Sequence, residues 1–581
     1  MCKVKRRSSF KTFVAGCCFL FALLPVVAGA QLKNIYSQKD LFHPVLAQNG
    51  MVASQEATAT QIGVEILQKG GNAIDAAVAV ELALTVTLPR AGNIGGGGFM
   101  LVHLAETGKT VAIDYRETAP AKAGRDMFLD KEGKVDRDLL ESHPLSVGVP
   151  GTIAGLALAH KSFGSLPWKE LLQPAIRLAE RGIPVTRDHV FTLLKGRERL
   201  HKWPETRRTY YKPDGSVYRV GERLVLKDLA KTFRILAEQG PSAFYEGDLA
   251  RKIVRFMESH GGIMSLEDLK NYRAVIREPV RGTYRGYQVF GMPPPSSGGV
   301  HVIQMLNILE GLPIGESGHN SAQTLHWITE AMRRAFADRS KHLGDNDFLK
   351  VPVSGLTSKA YAEELRRTIE PQRATLSSDL GPGDPFPYES DETTHFSIID
   401  RQGNVVSNTT TLNFSFGSGI VVPGTGILLN NEMDCFSAKA GIPNAYGLLG
   451  GEANAVAPNK RPLSSMSPTL VLKDGKPFLI TGSPGGPRLI SAVLLQIIHV
   501  IDHGLNIAEA TNAPRIHHQW RPDKLRVERD LNPDTRRLLE ERGHQVTIAN
   551  SIGSTQSILK TPTGLTGASD PRRPGALTMG Y

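Results

Sequence analysis

The chain has 581 residues, of which 41% are hydrophobic and 22% are charged, and its formal net charge is +11 at pH 7. A chain of this length and composition can bury a large core, which excludes the disordered and fibrous classes of protein. The basic excess is mild and gives no argument for nucleic-acid binding.

The first thirty residues are typical of a secretory signal peptide. An apolar run from Phe13 to Val27 ends at an Ala28-Gly29-Ala30 cleavage site and follows the basic residues Lys3, Lys5, Arg6, Arg7 and Lys11. An uncleaved membrane anchor is an alternative, but the run is short for a membrane span and contains Pro25. A lipoprotein signal at residues 14–17 is a second alternative, but it has almost no apolar stretch before its cysteine. We therefore expect a periplasmic or secreted chain that starts near Gln31, without membrane attachment.

Cleavage at that point would change the cysteine and charge counts. It would remove Cys2, Cys17 and Cys18 and leave Cys435 alone, so no intrachain disulfide is expected. It would also leave 63 basic and 57 acidic residues, a net charge of +6. No nucleic-acid partner is expected at this charge.

Two antiparallel β-hairpins are predicted from paired strand-like runs. In the first, Met100–Leu104 and Thr110–Tyr115 flank a glycine-containing turn. In the second, Thr469–Leu472 and Phe478–Ile480 flank Asp474-Gly475. Short runs of this kind on either side of a turn signal are typical of hairpins.

Helices are indicated by apolar residues that recur with a helical period. One helix is expected after Ser321, on the shared face of Leu325, Ile328, Met332 and Phe336. Another is expected over residues 301–310, ending at Gly311, and residues 489–500 form a third apolar helical stretch. We find no solenoid repeat and no second long apolar segment after residue 30, so the fold class is a mixed α and β globular protein.

A segment rich in proline, glycine and acidic residues runs from Ser377 to Glu392. It contains little that can pack or pair, and it is predicted to be an exposed loop or linker. It leads directly into a predicted hairpin of residues 393–399 and 405–411, with a turn at residues 400–404.

Thr393 stands where this loop meets the strand. A threonine hydroxyl is a weak nucleophile without a neighbouring base, and the free α-amine of an N-terminal threonine can be that base. Breaking the bond between Glu392 and Thr393 would create such a residue. The alternative is structural, since paired threonines also favour the start of a strand.

The sequence Ser483-Pro484-Gly485-Gly486 lies between a predicted strand and the apolar helix of residues 489–500. Backbone N–H groups at a turn before a helix can stabilise an oxyanion. The alternative is a tight turn that uses glycine for its positive φ.

Arg116 follows a predicted strand, and Ser464 and Ser465 lie in a Ser-rich loop. These groups can hold a carboxylate, the arginine through a bidentate fork. The alternative for each is an ordinary exposed polar residue.

Several common site types are excluded by pattern. Gly95–Gly98 is followed by Phe99-Met100 and precedes a strand, so it is not a phosphate-binding loop. His517-His518 has no partners at metal-ligand spacing, and neither H-E-x-x-H nor C-x-x-C occurs. The G-x-S-x-G elbow of α/β-hydrolases is missing as well.

Several motifs, in order along the chain, resemble the signatures of gamma-glutamyltranspeptidases. They are Thr393-Thr394-His395-Phe396-Ser397, Thr411-Leu412-Asn413, Pro462-Leu463-Ser464-Ser465-Met466-Ser467-Pro468, Gly482-Ser483-Pro484-Gly485-Gly486 and Gly567-Ala568-Ser569-Asp570-Pro571-Arg572. The resemblance continues toward the N-terminus through residues 70–77, 95–99 and 114–117, and so covers nearly the whole mature chain.

The resemblance implies the α+β fold of the N-terminal nucleophile hydrolases, a four-layer αββα sandwich built from both halves of a self-cleaved precursor. The implied parts are a signal peptide at residues 1–30, a large subunit at 31–392 and a small subunit at 393–581. The implied activity transfers the gamma-glutamyl group of glutathione and related amides to water or to an amino-acid or dipeptide acceptor. It implies no cofactor and no metal.

The resemblance also implies a role for each site residue. Thr393 would attack first the Glu392 carbonyl and then the substrate amide, Thr411 would hydrogen-bond the nucleophile, and Gly485 and Gly486 would face the oxyanion. The residues implied to bind the substrate are Arg116, Ser464 and Ser465 at its α-carboxylate, Asn413 and Glu432 near its α-amine, and Tyr446 as a lid.

Residues 430–436 depart from the family pattern at one position. Where the family has a second aspartate that pairs with the glutamyl α-ammonium, this chain has Cys435, and a neutral thiol cannot replace a charge-assisted hydrogen bond. Asp434 is expected to point to the other side, and Glu432 is the better replacement if the segment is a strand. Weaker selectivity for the α-amine is therefore expected.

Two alternative functions stay open at this stage. One is a glutaryl amide acylase of the cephalosporin type and the same fold, which Cys435 favours. The other is a secreted gamma-glutamyl-peptide binder without catalysis, against which the presence of Thr393, Thr411, Gly485 and Gly486 argues. A cysteine nucleophile at Cys435 is disfavoured because no suitably placed histidine is evident from the sequence.

Overall fold

The computed structural model describes residues 40–385 and 394–581. Residues 42–581 form one compact unit, and only Asp40 and Leu41 of the separate N-terminal unit are described. The predicted signal peptide, Cys2, Cys17, Cys18, Glu392 and Thr393 lie outside the described residues. The predictions for export, cleavage and the nucleophile therefore stay predictions.

The strands of the described chain are, in chain order, β1 (Val45–Ala47), β2 (Met51–Ser54), β3 (Gly97–Leu104), β4 (Lys109–Tyr115), β5 (Ile183–Pro184), β6 (Arg223–Leu224), β7 (Val275–Arg277), β8 (Val280–Tyr284), β9 (Tyr287–Gly291), β10 (Thr394–Ile399), β11 (Val405–Thr411), β12 (Thr469–Lys473), β13 (Lys476–Thr481), β14 (Ile516–His517), β15 (Leu525–Glu528), β16 (Val546–Ala549), β17 (Gln556–Thr561), β18 (Gly564–Ser569) and β19 (Leu577–Gly580).

The α-helices of the same residues are α1 (Ala57–Gln68), α2 (Ala73–Thr87), α3 (Arg137–Glu141), α4 (Thr152–Phe163), α5 (Trp168–Arg181), α6 (Arg187–Lys195), α7 (Arg197–His201), α8 (Pro204–Tyr210), α9 (Lys227–Gln239), α10 (Ser242–Tyr245), α11 (Asp248–Ser259), α12 (Leu266–Asn271), α13 (Gly298–Glu310), α14 (Ala322–His342), α15 (Val353–Leu356), α16 (Lys359–Arg367), α17 (Arg488–Ile501), α18 (Ile507–Asn512) and α19 (Pro533–Glu541). Short 3₁₀ turns occur at Pro144–Ser146, Glu432–Cys435 and Glu452–Asn454.

Two seven-stranded antiparallel sheets form the centre of the fold. One has the strand order β19-β2-β10-β11-β3-β4-β7, and the other has the order β1-β18-β17-β13-β12-β9-β8. Each sheet combines strands from before and after residue 393, so neither half of the chain completes a sheet alone. This arrangement agrees with the composite domain that the resemblance implies.

Apolar side chains fill the space between the two sheets, among them Phe99, Leu101, Val405 and Ile480. Helices α1, α2 and α4 pack on the outer face of the first sheet, and α13, α17 and α18 pack on that of the second. The four layers are therefore α, β, β and α, which confirms the predicted α+β sandwich.

The predicted hairpins are confirmed. Strands β3 and β4 pair from Gly98↔Tyr115 to Leu104↔Lys109, and β12 pairs with β13. Strand β10 pairs with β11 from Thr394↔Thr410 to Ile399↔Val405. The hairpin that follows the proline-rich segment is thus placed at the centre of the first sheet.

The predicted helices are confirmed as well. Helix α14 begins after Ser321, whose hydroxyl accepts a hydrogen bond from the Thr324 N–H at 3.1 Å. Helix α13 ends before Gly311 as expected but begins at Gly298, three residues before the predicted start. The third stretch is α17.

The acidic segment is irregular over residues 377–385, as predicted, but the prediction that it is exposed is wrong in part. Ser377 is buried, and its N–H donates to Asp523 at 2.7 Å. The N–H of Gly383 donates to Asp338 at 2.7 Å. Polar groups of distant helices and loops hold this segment, and composition alone gives no sign of such partners.

Among the described residues, no helix is both long enough and apolar enough to span a membrane.

Candidate active site

The candidate site lies beyond the ends of the central strands of the first sheet, where β10 begins. Thr394 pairs with Thr410, and Thr411, the last residue of β11, pairs with Gly97. Gly98 pairs in turn with Tyr115, the last residue of β4. The ends of four neighbouring strand segments therefore bring Thr411 and the residues after Tyr115 to one place.

Glycines allow the backbones to approach closely there. A Cβ on Gly96 would lie 2.0 Å from the Thr411 carbonyl oxygen, and one on Gly97 would lie 2.6 Å from a carboxylate oxygen of Glu117. No side chain fits at such distances. The glycine run that we excluded as a phosphate loop is thus a packing requirement of the site.

Thr411 is buried and is joined to the turn that follows β11. Its Oγ1 accepts a hydrogen bond from the Asn413 N–H at 2.8 Å. Asn413 has φ of +71°, a left-handed conformation in which asparagine is several-fold enriched. The Nδ2 of Asn413 donates to the Asn431 carbonyl at 3.0 Å. This turn brings the predicted amine-binding segment to the end of β11.

The amide of Asn413 also presents an acceptor. Its Oδ1 is buried and has no hydrogen-bond partner among the described residues. A buried acceptor without a donor costs about 1–3 kcal/mol. An ammonium group at this point would supply the donor.

Arg116 and Glu432 form a buried ion pair beside this turn. The Arg116 Nη1 lies 2.7 Å from the Glu432 Oε2, and both side chains are fully buried. The guanidinium also donates from Nε to the Pro462 carbonyl at 2.9 Å and from Nη2 to the Leu463 carbonyl at 3.3 Å. The residue implied to bind the α-carboxylate is therefore paired with one implied to lie near the α-amine.

Glu117 is a second buried carboxylate at this ion pair, 3.5 Å from the Arg116 Nη1. Burial and the neighbouring Glu432 raise the pKa of Glu117 well above its usual range. Burial disfavours the charged form of Arg116, but the acidic neighbours, of which Glu432 contributes most, outweigh it and raise the pKa of the guanidinium. Arg116 is therefore charged with Glu432 as its main partner, and the charged form of Glu117 is disfavoured.

Ser464 and Ser465 directly follow the two carbonyls that Arg116 contacts. The Ser464 Oγ accepts a hydrogen bond from the Met466 N–H at 3.1 Å. The Ser465 Oγ accepts one from the Arg339 Nη2 at 3.2 Å. The structure thus brings the three predicted carboxylate ligands together.

Cys435 lies next to Glu432, but not for the reason predicted. The segment Glu432–Cys435 is a 3₁₀ turn and not a strand. Residues three apart share a face in such a turn, so the Cys435 thiol donates to the Glu432 Oε2 at 3.2 Å. Glu432 does occupy the side of Cys435, as predicted. The expectation that Asp434 points away from the amine site is wrong, because in the 3₁₀ turn its carboxylate lies 3.5 Å from the Asn413 Nδ2.

Tyr446 covers the turn of Asn413. Its hydroxyl donates to the Asn413 carbonyl at 3.3 Å, and its ring meets Phe414 edge-on with centroids 5.5 Å apart. The Arg137 guanidinium contacts both the Pro443 carbonyl and, at 3.9 Å, Asp434. The position of Tyr446 fits a lid, and Arg137 links its loop to the site.

The Gly485-Gly486 turn follows β13 of the second sheet and directly precedes α17. Both glycines have positive φ, +135° and +60°. The preceding Gly482 lies against β10, because a Cβ there would be 2.5 Å from the His395 ring. This approach holds the turn close to the start of β10. Both predicted oxyanion residues are glycines, so their backbones can adopt the positive φ angles of the turn.

His395 is a buried histidine whose ring lies against Gly482, and it stands two residues after Thr393 in the sequence. Its Nδ1 contacts the Thr409 hydroxyl and its Nε2 the Ser397 hydroxyl, each at 3.0 Å. Burial lowers the pKa of His395 to about 3. The ring is neutral and both nitrogens are engaged, so it supports the fold rather than acting as a proton acceptor.

Sequence reasoning missed several residues of the site. Arg339 and Arg137 lie on helices, where periodicity predicts a buried apolar face and gives no signal for a functional arginine. Glu117 adjoins the predicted Arg116, and its burial was not foreseen. The excluded His517-His518 pair is engaged by protein groups: His517 contacts Ser491 and Gln519, and His518 contacts Asp523.

The chain matches a family model for gamma-glutamyltranspeptidase over residues 59–580. It is 52% identical over 580 residues to the glutathione hydrolase proenzyme of Escherichia coli (strain K12), with 99% of each chain covered. It is 45% identical over 574 residues to that of Pseudomonas sp. (strain A14), with 97% of this chain and 99% of the relative covered.

A solved structure of similar fold is the cephalosporin acylase from Bacillus halodurans. The TM-score is 0.83 at 32% identity, with 94% of this chain and 98% of that chain covered. The match in sequence over nearly the whole length, and the sandwich of two central sheets, lead to one conclusion. The chain belongs to the gamma-glutamyltranspeptidase family.

Proposed function

We propose that this chain is a proenzyme that cleaves itself between Glu392 and Thr393 and then transfers gamma-glutamyl groups from glutathione and related amides. The acceptor is water or the amine of an amino acid or dipeptide. The observation that carries the proposal is the buried pair of Arg116 and Glu432, 2.7 Å apart, beside the unsatisfied Asn413 Oδ1.

A gamma-glutamyl group ends in an α-carboxylate and an α-ammonium, which match this pair in charge. Removing one partner of a buried ion pair costs about 3–5 kcal/mol because the other charge is left unpaired. A ligand with both charges avoids that cost, since its carboxylate replaces Glu432 at Arg116 and its ammonium replaces Arg116 at Glu432. The ammonium also gives Asn413 the missing donor.

Self-cleavage is proposed to begin with the Thr393 hydroxyl. Its oxygen attacks the Glu392 carbonyl, the peptide C–N bond breaks, and the nitrogen takes the proton to become the α-amine of Thr393. Water then hydrolyses the ester. The products are a large chain that ends at Glu392 and a small chain that begins at Thr393.

Acyl transfer uses the same oxygen. The new α-amine takes the hydroxyl proton as the oxygen attacks the gamma-amide carbonyl, and the leaving amine receives that proton. Thr411 is proposed to hydrogen-bond the nucleophile, because it ends the strand that pairs with β10. The Gly485 and Gly486 N–H groups would stabilise the oxyanion, a contribution of about 3 kcal/mol per donor in other enzymes.

Arg116, Ser464 and Ser465 are proposed to hold the α-carboxylate, with Tyr446 closing over the bound group. Asn413 and Glu432 are proposed to hold the α-amine, with the thiol of Cys435 beside them. This thiol carries no charge, so the α-amine contributes less to recognition than it would with a second carboxylate beside Glu432.

A second candidate, hydrolysis of glutaryl amides, is favoured by this one residue. A glutaryl group has the same carboxylate but no ammonium, so it loses least where the amine site is weakest. The similar cephalosporin acylase fold is compatible with such a substrate. We propose that the protein has both activities and that they differ in rate.

Export is proposed from the first thirty residues alone, with a mature N-terminus near Gln31 in the periplasm or outside the cell. Mass spectrometry of the mature large chain tests it. A chain that retains Met1 would contradict it.

The test of the function is an assay of the purified protein with a gamma-glutamyl anilide, with and without a dipeptide acceptor. Thr393→Ala is expected to stay uncleaved and inactive, and Arg116→Lys to be cleaved but to have a strongly raised KM because the bidentate fork is lost. Equal activity of Thr393→Ala and the unchanged protein would refute the proposal.

A further inference from the structure

A buried aspartate lies next to the proposed carboxylate site. Asp114 is the last residue but one of β4, two positions before Arg116, and its side chain is fully buried. Its Oδ1 accepts a hydrogen bond from the Arg116 N–H at 2.9 Å. This bond holds the backbone of the residue that is proposed to bind the substrate carboxylate.

Two arginines from other parts of the chain approach the second oxygen of Asp114. Arg277 of β7 donates from its Nε to this Oδ2 at 2.8 Å, and the Nε of Arg461 lies 3.5 Å from the same atom. Their side chains are only 12% and 9% exposed. One carboxylate thus connects β4, β7 and the residue that precedes Pro462.

Arg461 stands at the start of the loop that Arg116 contacts. The carbonyls of the next two residues, Pro462 and Leu463, accept hydrogen bonds from the Arg116 guanidinium at 2.9 and 3.3 Å. The two serines proposed to bind the substrate carboxylate follow directly. A carboxylate can contact the guanidinium and the serine hydroxyls together only if the loop and the end of β4 keep their separation.

Arg461 is charged and is held by several groups. Burial disfavours its charged form, but its acidic neighbours, of which Asp114 contributes most, outweigh burial and raise the pKa of the guanidinium. Its N–H donates to Asp345 at 2.8 Å, and its Nη2 donates to the Arg273 carbonyl at 2.7 Å. The position of Asp114 is therefore transmitted to the loop by a fixed side chain.

The other side of the loop is fixed to a different part of the fold. The Ser464 N–H donates to the Pro295 carbonyl, and the Ser297 N–H donates to the Ser464 carbonyl, each at 2.8 Å. Both partners lie between β9 of the second sheet and α13. Asp114 therefore links the part of the site that belongs to the first sheet with the part that is anchored beside the second.

We propose that Asp114 is a positioning residue for recognition of the substrate α-carboxylate. It acts through Arg116 and Arg461, by holding the guanidinium and the serine loop at the separation that one carboxylate fits. It makes no contact with the substrate. The inference rests on the proposed function, because it takes Arg116 to be the group that binds this carboxylate.

The test compares Asp114→Asn with the unchanged protein on three p-nitroanilides: gamma-glutamyl, glutaryl and 4-aminobutyryl. Asparagine still accepts the Arg116 N–H but has no charge for the two arginines. KM for the first two substrates should rise by about 10-fold or more with little change in kcat, since a displacement of about 1 Å can cost about 100-fold. The 4-aminobutyryl substrate has no α-carboxylate, so its kcat/KM should stay the same.

Asp502→Asn is a matched control. Asp502 is also a buried carboxylate with an arginine partner, the Arg285 Nε at 2.5 Å, but it follows the end of α17 that is remote from the Gly485-Gly486 turn. This change should leave KM unchanged. A second pair of variants changes the partner: Arg461→Lys keeps the charge beside Asp114 and should raise KM less than Arg461→Gln.

The outcomes are distinguishable because self-cleavage before Thr393 involves no substrate carboxylate, so the small chain reports that a variant has folded. An unchanged KM in cleaved Asp114→Asn overturns the proposal, and so does an equal loss of activity on all three substrates. If Asp114→Asn stays uncut, equal KM values in the two Arg461 variants overturn it. Failure of the unchanged protein to hydrolyse the gamma-glutamyl anilide would refute the proposed function itself.

Discussion

Replacing Cys435 by aspartate should restore selectivity for the α-amine. The thiol lies 3.2 Å from the Glu432 Oε2, which in turn lies 2.7 Å from the Arg116 Nη1. A carboxylate at position 435 would therefore stand beside the group proposed to receive the substrate ammonium. Cys435→Ser gives a matched control of similar size without a charge.

The size of the effect follows from one charge-assisted hydrogen bond. Such a bond contributes about 1.5–3 kcal/mol, which corresponds to about 10- to 150-fold in a ratio of rate constants. Part of this gain is offset, because a carboxylate so close to Glu432 is a like charge and raises the pKa of the pair. Substrate ammonium relieves that repulsion, so the gain appears for gamma-glutamyl substrates and not for glutaryl ones.

The assay compares kcat/KM for gamma-glutamyl and glutaryl p-nitroanilides at one neutral pH. In the unchanged protein we expect the glutaryl substrate to be slower by less than about 100-fold. In Cys435→Asp the ratio of the two constants should rise by about 10-fold or more, and in Cys435→Ser it should change little. Discrimination by more than about 100-fold in the unchanged protein, or an equal change of the ratio by serine and aspartate, would show that Cys435 does not weaken α-amine selectivity.

Two other predictions concern Thr411, the last residue of β11, and Glu81, a buried residue of α2 whose carboxyl group accepts a hydrogen bond from the Asn408 Nδ2 of β11 at 3.3 Å. Thr411→Val keeps the side-chain shape but removes the hydroxyl. The value of kcat should fall by about 5- to 150-fold, the equivalent of one hydrogen bond of about 1–3 kcal/mol, while the circular dichroism spectrum stays unchanged. An unchanged kcat would contradict the role proposed for Thr411. Burial raises the pKa of Glu81 to about 8, so the folded protein keeps a proton that the unfolded chain releases above about pH 4.5. The free energy of unfolding should therefore fall by up to about 5 kcal/mol as the pH rises from 4.5 to 8. In urea unfolding of Glu81→Gln, the free energy of unfolding should lack this dependence on pH. An equal dependence in both proteins would mean that Glu81 is ionised when buried.

The regular elements of the fold were predictable because their causes are local. Helix α14 follows from apolar residues at helical spacing after Ser321, and the hairpin of β3 and β4 follows from two strand runs around a glycine turn. The hairpin of β10 and β11 was also evident, since a sharp change in composition marks its start. Boundaries erred by a few residues, as at Gly298, where α13 begins earlier than its apolar period.

The residues of the site were predicted from the order of the family motifs along the chain and not from the spacing between individual residues. Arg116, Ser464 and Asn413 are far apart in the chain. The ends of β4 and β11 bring Arg116 and Asn413 together, and the bonds from Arg116 to the Pro462 and Leu463 carbonyls bring in Ser464. The 3₁₀ turn at Glu432–Cys435 was missed because residues that favour a strand and residues in a short turn look alike over four positions. Its geometry, not strand alternation, sets Glu432 beside Cys435.

Contacts between polar residues that are far apart in the sequence could not be predicted, because they leave no local sequence pattern. The hydrogen bond from Arg339 to Ser465 and the anchoring of Ser377 by Asp523 depend on tertiary packing.

Intact mass analysis and N-terminal sequencing of the purified protein after incubation show directly whether Thr393 becomes an N-terminal residue. We expect two chains, the smaller beginning Thr393-Thr394-His395-Phe396 and ending at Tyr581, and a single uncut chain in Thr393→Ala. A protein that stays uncut, or that is cut at another bond while still hydrolysing gamma-glutamyl amides, would show that Thr393 is not the N-terminal nucleophile.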